Sequence, residues 1–315
     1  MSIAFVFPGQ GSQSLGMLSD MASAHPQIEQ TFAEASGVLG YDLWALTQQG
    51  PEEKLNQTEQ TQPAMLAAGV AVWRVWRSCG GAKPALLAGH SLGEYSALVC
   101  AASLDFTTAV ALVAARGRFM QEAVPAGEGA IAAVLGLDDA QVLEACGEAM
   151  KARPGEVAAA VNYNAPGQVV VAGNAEAVAR ALEAAKEKGA RRAVTLPMSV
   201  PVHCELMRPA TEHLSAMLAQ ASVRVPEIPV MNNADIAIQS DPDAIRDALG
   251  RQLFSPVRWT DTIHKLSQQG AEVIVECGPG RILSGLTKRI DRNIKALSLH
   301  DSQSLKETLA ELEAY

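Results

Sequence analysis

The stretch ALLAGHSLGEYSALVCAA, residues 85–102, holds the key to the fold. Its first four residues form an apolar run of the length of a short buried strand. Gly89-His90-Ser91-Leu92-Gly93 follows, and Glu94 to Ala102 reads as a helix. A strand that turns at once into a helix is the setting in which Gly-x-Ser-x-Gly means a nucleophile elbow. The serine hydroxyl is then exposed on a strained turn with a helix N-terminus behind it. The flanking glycines are needed because neighbouring backbone comes close. Ser91 is therefore the candidate nucleophile, and an acyl ester on its Oγ is the expected intermediate.

Outward from the elbow, the rhythm on both sides is that of a parallel α/β sheet. Residues 3–7 read as a first strand, followed by Pro8-Gly9-Gln10-Gly11-Ser12. Two helical segments are expected next, the second starting near Pro63, running through Trp76 and stopped by Gly80-Gly81. Between residues 128 and 197 the rhythm changes. Strands are expected over 130–135, 157–162, 169–172 and 193–196, and helices over 138–150 and 175–186, with Asn174 capping the second helix. That order, β-α-β-β-α-β, is the split unit of ferredoxin-like domains. Afterwards a helix (205–221), strands (228–231 and 273–276) and a helix (282–290) resume the first pattern. The expected architecture is α/β: an α/β-hydrolase-like catalytic domain of residues 1–127 and 198–315, interrupted by a ferredoxin-like subdomain at 128–197.

Composition narrows the function. The 315 residues are 48% hydrophobic and 19% charged, as in a folded enzyme. The net charge of −9 argues against nucleic acid as a partner. Five cysteines, an odd number without a C-x-x-C pair, argue for reduced thiols rather than disulfides or zinc. The apolar start lacks a basic leader segment, and the most apolar helix, 64–76, is short and interrupted by Arg74. A cytoplasmic protein with no membrane partner is expected. No permanently bound cofactor or metal is expected either, and a monomer is compatible with the sequence.

A serine nucleophile needs a base. Of six histidines, His90 adjoins Ser91, but consecutive residues at a sharp turn diverge. His213 and His264 fall inside helices among polar neighbours, and His25 and His300 fall near helix ends. His203 lies in a loop after Pro201-Val202, where the chain returns to the larger domain, and follows the serine in chain order. Spacing alone leaves it an open candidate. No Asp or Glu between them completes a triad, since Asp138 and Asp139 read as helix caps, so a dyad oriented by a backbone carbonyl fits better. Arg116 shares a helical face with Leu112, Val113, Phe119 and Met120. A guanidinium there either snorkels to solvent or awaits an anion.

Seven segments together carry a resemblance over essentially the whole chain. They are Phe7 to Gln13, Gly89 to Glu94, Arg116 to Gln121, Ser199 to Cys204, Asn232-Asn233, Gln252-Leu253 with Pro256-Val257, and Glu276 to Gly280. In this order they resemble the bacterial malonyl-CoA:acyl-carrier-protein transacylase family. The resemblance implies Ser91 as nucleophile, His203 as base and Gln252 orienting His203 through its main-chain carbonyl. It also implies an oxyanion hole from the backbone N–H groups of Gln10 and Leu92, and Arg116 holding the malonyl carboxylate. The implied fold agrees with the one read from periodicity. One departure is Val202, where stand-alone malonyl enzymes often carry serine, a position that bears on acyl choice.

The expected reaction is ping-pong transfer of malonyl from malonyl-CoA, a substrate thioester, to the phosphopantetheine thiol of acyl carrier protein, for fatty acid biosynthesis. The alternatives are malonyl transfer serving a malonate decarboxylase or a polyketide system, a serine esterase or thioesterase, and a non-enzymatic acyl-CoA-binding module. Arg191, Arg192, Lys288 and Arg289, with Arg292 and Lys295, are locally basic in an acidic chain. They are the candidate patch for CoA phosphates and an acidic carrier protein.

Overall fold

A computed structural model of the chain describes residues 2–197 and 200–313. The expected junction at 197/198 adjoins Met198 and Ser199, which lie outside the described residues. In chain order the strands are β1 (Ser2–Phe7), β2 (Leu86–Gly89), β3 (Gly129–Leu135), β4 (Ala158–Ala165), β5 (Gln168–Asn174), β6 (Arg192–Thr195), β7 (Val230–Met231), β8 (Ala271–Cys277) and β9 (Lys295–Leu299).

Five of them form a parallel sheet in the order β7-β2-β1-β8-β9. Its centre, β1, is buried on both faces, as a run of Ala, Phe and Val without polar alternation requires. Phe5 packs against Trp73 and Trp76 of the helix Thr58–Ser78 at ring separations of 5.6 and 5.4 Å. Ala4 and Val6 face the other way, into a cluster with Trp259, Ile263, Leu283 and Leu286 from helices Trp259–Gln268 and Ile282–Ile290. Helices on both faces leave the carboxyl ends of β1 and β2 as the place where loops can assemble a site.

The other four strands form an antiparallel sheet in the order β4-β5-β3-β6. This is the ferredoxin-like arrangement expected. One face, with Ala132, Val134, Val169 and Val171, packs on helices Asp139–Ala152 and Ala175–Glu187. Alternation along the strands turns Ile131, Ala133 and Val170 to the opposite face, over the carboxyl end of the parallel sheet.

Several local expectations are corrected. Five helices, not two, lie between β1 and β2: Ser19–Ala24, Gln27–Leu39, Leu43–Gln49, Glu52–Leu55 and Thr58–Ser78. Three of these have 6, 7 and 4 residues, too short to display a helical period. Pro63 lies inside the helix Thr58–Ser78 rather than at its start. The Asn174 side chain makes no cap bond; its Oδ1 accepts instead from Val157 N–H at 2.8 Å, joining the start of β4 to the end of β5. The expected helix 205–221 opens as a 3-10 turn, Glu205–Met207, before Arg208–Gln220. Among the described residues no helix is long and apolar enough to cross a membrane. All five cysteines are unpaired, and only Cys79 is exposed.

Candidate active site

The elbow is as tight as its glycines suggest. A Cβ on Gly93 would lie 2.0 Å from Phe7 O, and one on Gly89 would lie 1.9 Å from Gly93 C. Ser91 itself has φ 52°, left-handed backbone that a non-glycine residue holds at a cost of about 1–3 kcal/mol. Asn233 staples the turn. Its Oδ1 accepts from Ser91 N–H and its Nδ2 donates to Gly89 O, both at 2.7 Å.

His203 meets the serine with Nε2 2.7 Å from Ser91 Oγ. On the other side of the ring, Nδ1–H donates to Gln252 O at 2.8 Å. That carbonyl accepts only, so it fixes the tautomer with the Nε2 lone pair facing the hydroxyl. Burial, reinforced by the Arg116 charge, pulls the His203 pKa from 6.5 to about 3, so the ring is neutral near pH 7. Like Ser91, His203 stands in left-handed backbone, with φ 59°. Among the described residues no carboxylate is hydrogen-bonded to its ring. His90 is committed elsewhere: Nε2–H donates to Asn164 Oδ1 at 2.9 Å and the ring packs against Trp259. His213 and His264 are exposed.

Arg116 does not snorkel. It is 1% exposed, whereas Arg118 is exposed. Nη1 donates to Gln62 Oε1 at 2.9 Å, and Nη2 to Gln252 Oε1 at 2.9 Å and Ser91 Oγ at 3.3 Å. Nε has no acceptor among the described residues. The guanidinium is thus held by neutral groups beside the nucleophile, and among the described residues no carboxylate is ion-paired with it. Burial pushes its pKa below the ordinary arginine value, against the pull of Tyr95 and Glu94.

Ser91, His203 and Arg116 line one cavity of about 330 Å³. Its walls include Gln10, Leu92, Gln62, Met120 and Val202 from the parallel-sheet side, and Asn162, Asn164, Val170 and Leu196 from the ferredoxin-like side. Leu92 N–H, at the cap of helix Gly93–Cys100, meets no acceptor among the described residues. Gln10, on the β1 loop, borders the same space and is anchored through Nε2 to Thr58 Oγ1 at 3.3 Å.

Of the basic residues, Arg191, Arg192, Lys288, Arg289 and Arg292 are exposed. Leu135 pairs with Gln168 on one side and Arg192 on the other, and Arg289 Nη1 donates to Gln168 Oε1 at 2.6 Å. Arg192 and Arg289 therefore stand at one end of the antiparallel sheet, beside the cavity wall that Gln168 helps to form. Lys295 is instead ion-paired with Glu311.

Some groups of the site carried no role in the sequence reading. Gln62 braces Arg116, and Asn233 pins the elbow. Glu94, buried in the first turn after the nucleophile, accepts from Asn233 N–H at 2.9 Å and Gln252 Nε2 at 2.8 Å. An ionisable residue in an otherwise uncharged helix, Gly93–Cys100, was the available signal for Glu94. Glu276, 0% exposed at the end of β8, caps helix Ile282–Ile290 by accepting from the N–H groups of Leu283 and Ser284 at 3.0 and 2.7 Å.

Known proteins resemble the chain from end to end. The family model of the acyl transferase domain matches residues 4–298. The malonyl CoA-acyl carrier protein transacylase of Escherichia coli K12 is 57% identical over 306 residues, 97% of this chain and 98% of that protein. The Bacillus subtilis enzyme of the same name is 41% identical over 96% of this chain and 95% of its own. Among solved structures, an acyl carrier protein S-malonyltransferase from Vibrio cholerae superposes with TM-score 0.94 at 55% identity, covering 98% of this chain and 100% of that one. A malonyl-transacylase in complex with a type II polyketide synthase acyl-carrier protein gives TM-score 0.97 at 55% identity, covering 99% and 100%. By this match over nearly its whole length, the chain belongs to the acyl transferase family, among the malonyl CoA-acyl carrier protein transacylases.

Proposed function

We propose that the chain transfers a malonyl group from malonyl-CoA to the phosphopantetheine thiol of acyl carrier protein, through an ester on Ser91, for fatty acid biosynthesis. The observation that carries this reading is Arg116: a fully buried guanidinium 3.3 Å from the nucleophile, with no carboxylate of its own. Such a group costs stability unless an anion completes it. A simple esterase has no use for it, and a malonyl group supplies the carboxylate.

In this reading the hydrogen bonds support the following steps. His203 Nε2 takes the Ser91 proton as Oγ attacks the thioester carbonyl. In this reading the oxyanion is met by the backbone N–H groups of Leu92 and Gln10, both of which border the cavity, and one such donor is worth about 3–4 kcal/mol. Collapse breaks the C–S bond, and the imidazolium returns its proton to the departing CoA thiolate. The carrier thiol then attacks the ester by the same route in reverse, regenerating Ser91. Gln252, through its main-chain carbonyl, does for His203 what a carboxylate does in a triad. No step calls for a resident cofactor.

In this reading residues 1–127 and 198–315 form the catalytic domain. The subdomain 128–197 is the wall that keeps water from the ester. Arg191, Arg192, Lys288 and Arg289 are the basic residues that would meet the anionic carrier, with Arg192 and Arg289 beside the cavity wall at Gln168. Reduced cysteines and the lack of a membrane-crossing helix among the described residues support a cytoplasmic setting.

The test is to load the protein with malonyl-CoA and follow the acyl-enzyme with and without holo acyl carrier protein. A long-lived ester that discharges only to the thiol supports transfer, and rapid hydrolysis in water alone supports the esterase reading. Comparing fatty-acid and polyketide carrier proteins as acceptors decides which pathway it serves.

A further inference from the structure

The Gln252 side chain stands between the base and the guanidinium and makes three contacts, all of which depend on which way its amide faces. Oε1 accepts from Arg116 Nη2 at 2.9 Å, while Nε2 donates to Glu94 Oε2 at 2.8 Å and Ser91 O at 3.0 Å. Turned over, the amide would set its NH₂ against a guanidinium that can only donate, and its oxygen against two acceptors. Ser91 O is a fixed feature of the elbow, so Glu94 is the side chain that enforces the choice. Glu94 is 2% exposed and does not line the substrate cavity. Both of its donors, Asn233 N–H and Gln252 Nε2, converge on Oε2, an arrangement that only an acceptor oxygen satisfies.

We infer that Glu94 is a positioning residue: by accepting from Gln252 Nε2 it keeps Gln252 Oε1 on Arg116, and so holds the guanidinium in the orientation that receives the acyl carboxylate. The chain of contacts is Asn233 and Gln252 onto Glu94, Gln252 onto Arg116, and Arg116 onto the substrate. His203 is held by the main chain of Gln252, in the helix Pro242–Gln252. The bond between Glu94 and the Gln252 side chain therefore acts on the guanidinium, while the bond from Asn233 N–H to Glu94 joins it to the elbow that the two acyl substrates share. Burial lifts the Glu94 carboxyl to about 7, against the pull of its two N–H donors and of Arg116. A group held at that cost to ionisation is consistent with a fixed local task.

The inference rests on the malonyl reading. Its test is kcat and KM for malonyl-CoA and acetyl-CoA in wild type, Glu94→Gln, Glu94→Met and Glu94→Asp. Glu94→Gln keeps an acceptor oxygen at the right reach and retains the malonyl preference within about threefold. Glu94→Met removes the acceptor and lowers malonyl kcat/KM by about 10- to 100-fold, mainly through KM, with acetyl-CoA little changed. Should Glu94→Met not fold, Glu94→Asp carries the same expectation, since it keeps the carboxyl but is one methylene too short. Equal losses for both acyl-CoAs would overturn the inference. So would an unchanged preference in both Glu94→Met and Glu94→Asp, or a loss in Glu94→Gln as large as in the others. A wild type without malonyl preference would instead sink the malonyl reading itself.

Discussion

Replacing Arg116 with alanine separates carboxylate recognition from acyl transfer. In the resting site three of the five guanidinium N–H groups are spent on Gln62, Gln252 and, at a long 3.3 Å, Ser91, all neutral partners, and Nε–H has no acceptor among the described residues. The malonyl carboxylate completes a buried, charge-assisted pair. Breaking such a pair costs about 3–5 kcal/mol, equivalent to roughly 10²- to 4 × 10³-fold in kcat/KM. Acetyl-CoA brings no carboxylate and leaves the wild-type guanidinium unpaired, a mismatch that sites of this kind reject by about 10⁴ or more. In Arg116→Ala that penalty disappears, so acetyl transfer should fall far less than malonyl transfer, or rise. The dyad should survive, because Gln252 keeps its bonds to Glu94 and Ser91 O. The assay is kcat/KM for both acyl-CoAs in wild type and variant, with thermal unfolding alongside. Equal losses for the two substrates would refute the clamp and leave Arg116 a structural residue.

His203→Ala should slow both half-reactions by about 10²- to 10⁴-fold, the usual worth of a general acid–base; a more damaging His90→Ala would mean that the base has been misassigned. Titrating the His203 ring by NMR should find it still neutral at pH 5, with a midpoint near 3. The sign follows from the lowered value. The neutral ring contributes stability that is present above pH 6.5 and is lost as pH falls towards about 3, so a midpoint at or above 6.5 would contradict the burial argument. Association with the carrier protein should weaken as salt rises, and weaken further in Lys288→Glu/Arg289→Glu. An on-rate indifferent to both would remove the basic entrance from the account.

What the sequence made legible divides along physical lines. Ser91 announced itself because the elbow is local: strand, two glycines and helix lie within one short stretch, and the close approach of Gly93 to Phe7 O is what those glycines permit. Arg116 was visible as a charge on an apolar helical face, although the face alone did not distinguish a snorkelling side chain from a buried one. The ferredoxin-like unit was readable because its helices and strands alternate cleanly. Gln252 left no trace in residue chemistry, since its part toward His203 is played by a main-chain carbonyl that any residue possesses. Its role entered through family resemblance alone. Gln62 and Asn233 act across 54 and 142 positions of chain, and such partners are set by tertiary packing rather than local pattern. The short helices before Thr58 escaped notice for a simpler reason: a helix of one or two turns has no period to detect.

The central claim is that the acyl group rests on Ser91 and leaves only to a thiol. Intact-mass measurement after malonyl-CoA addition, followed by peptide mapping, tests it most directly. The wild type should carry one malonyl group on the peptide containing Ser91, lose it when holo acyl carrier protein is added, and retain it in buffer. Ser91→Ala should carry none, because no other hydroxyl stands on the elbow. An adduct that persists in Ser91→Ala, that maps to another residue, or that decays equally fast with and without the carrier thiol would contradict the account.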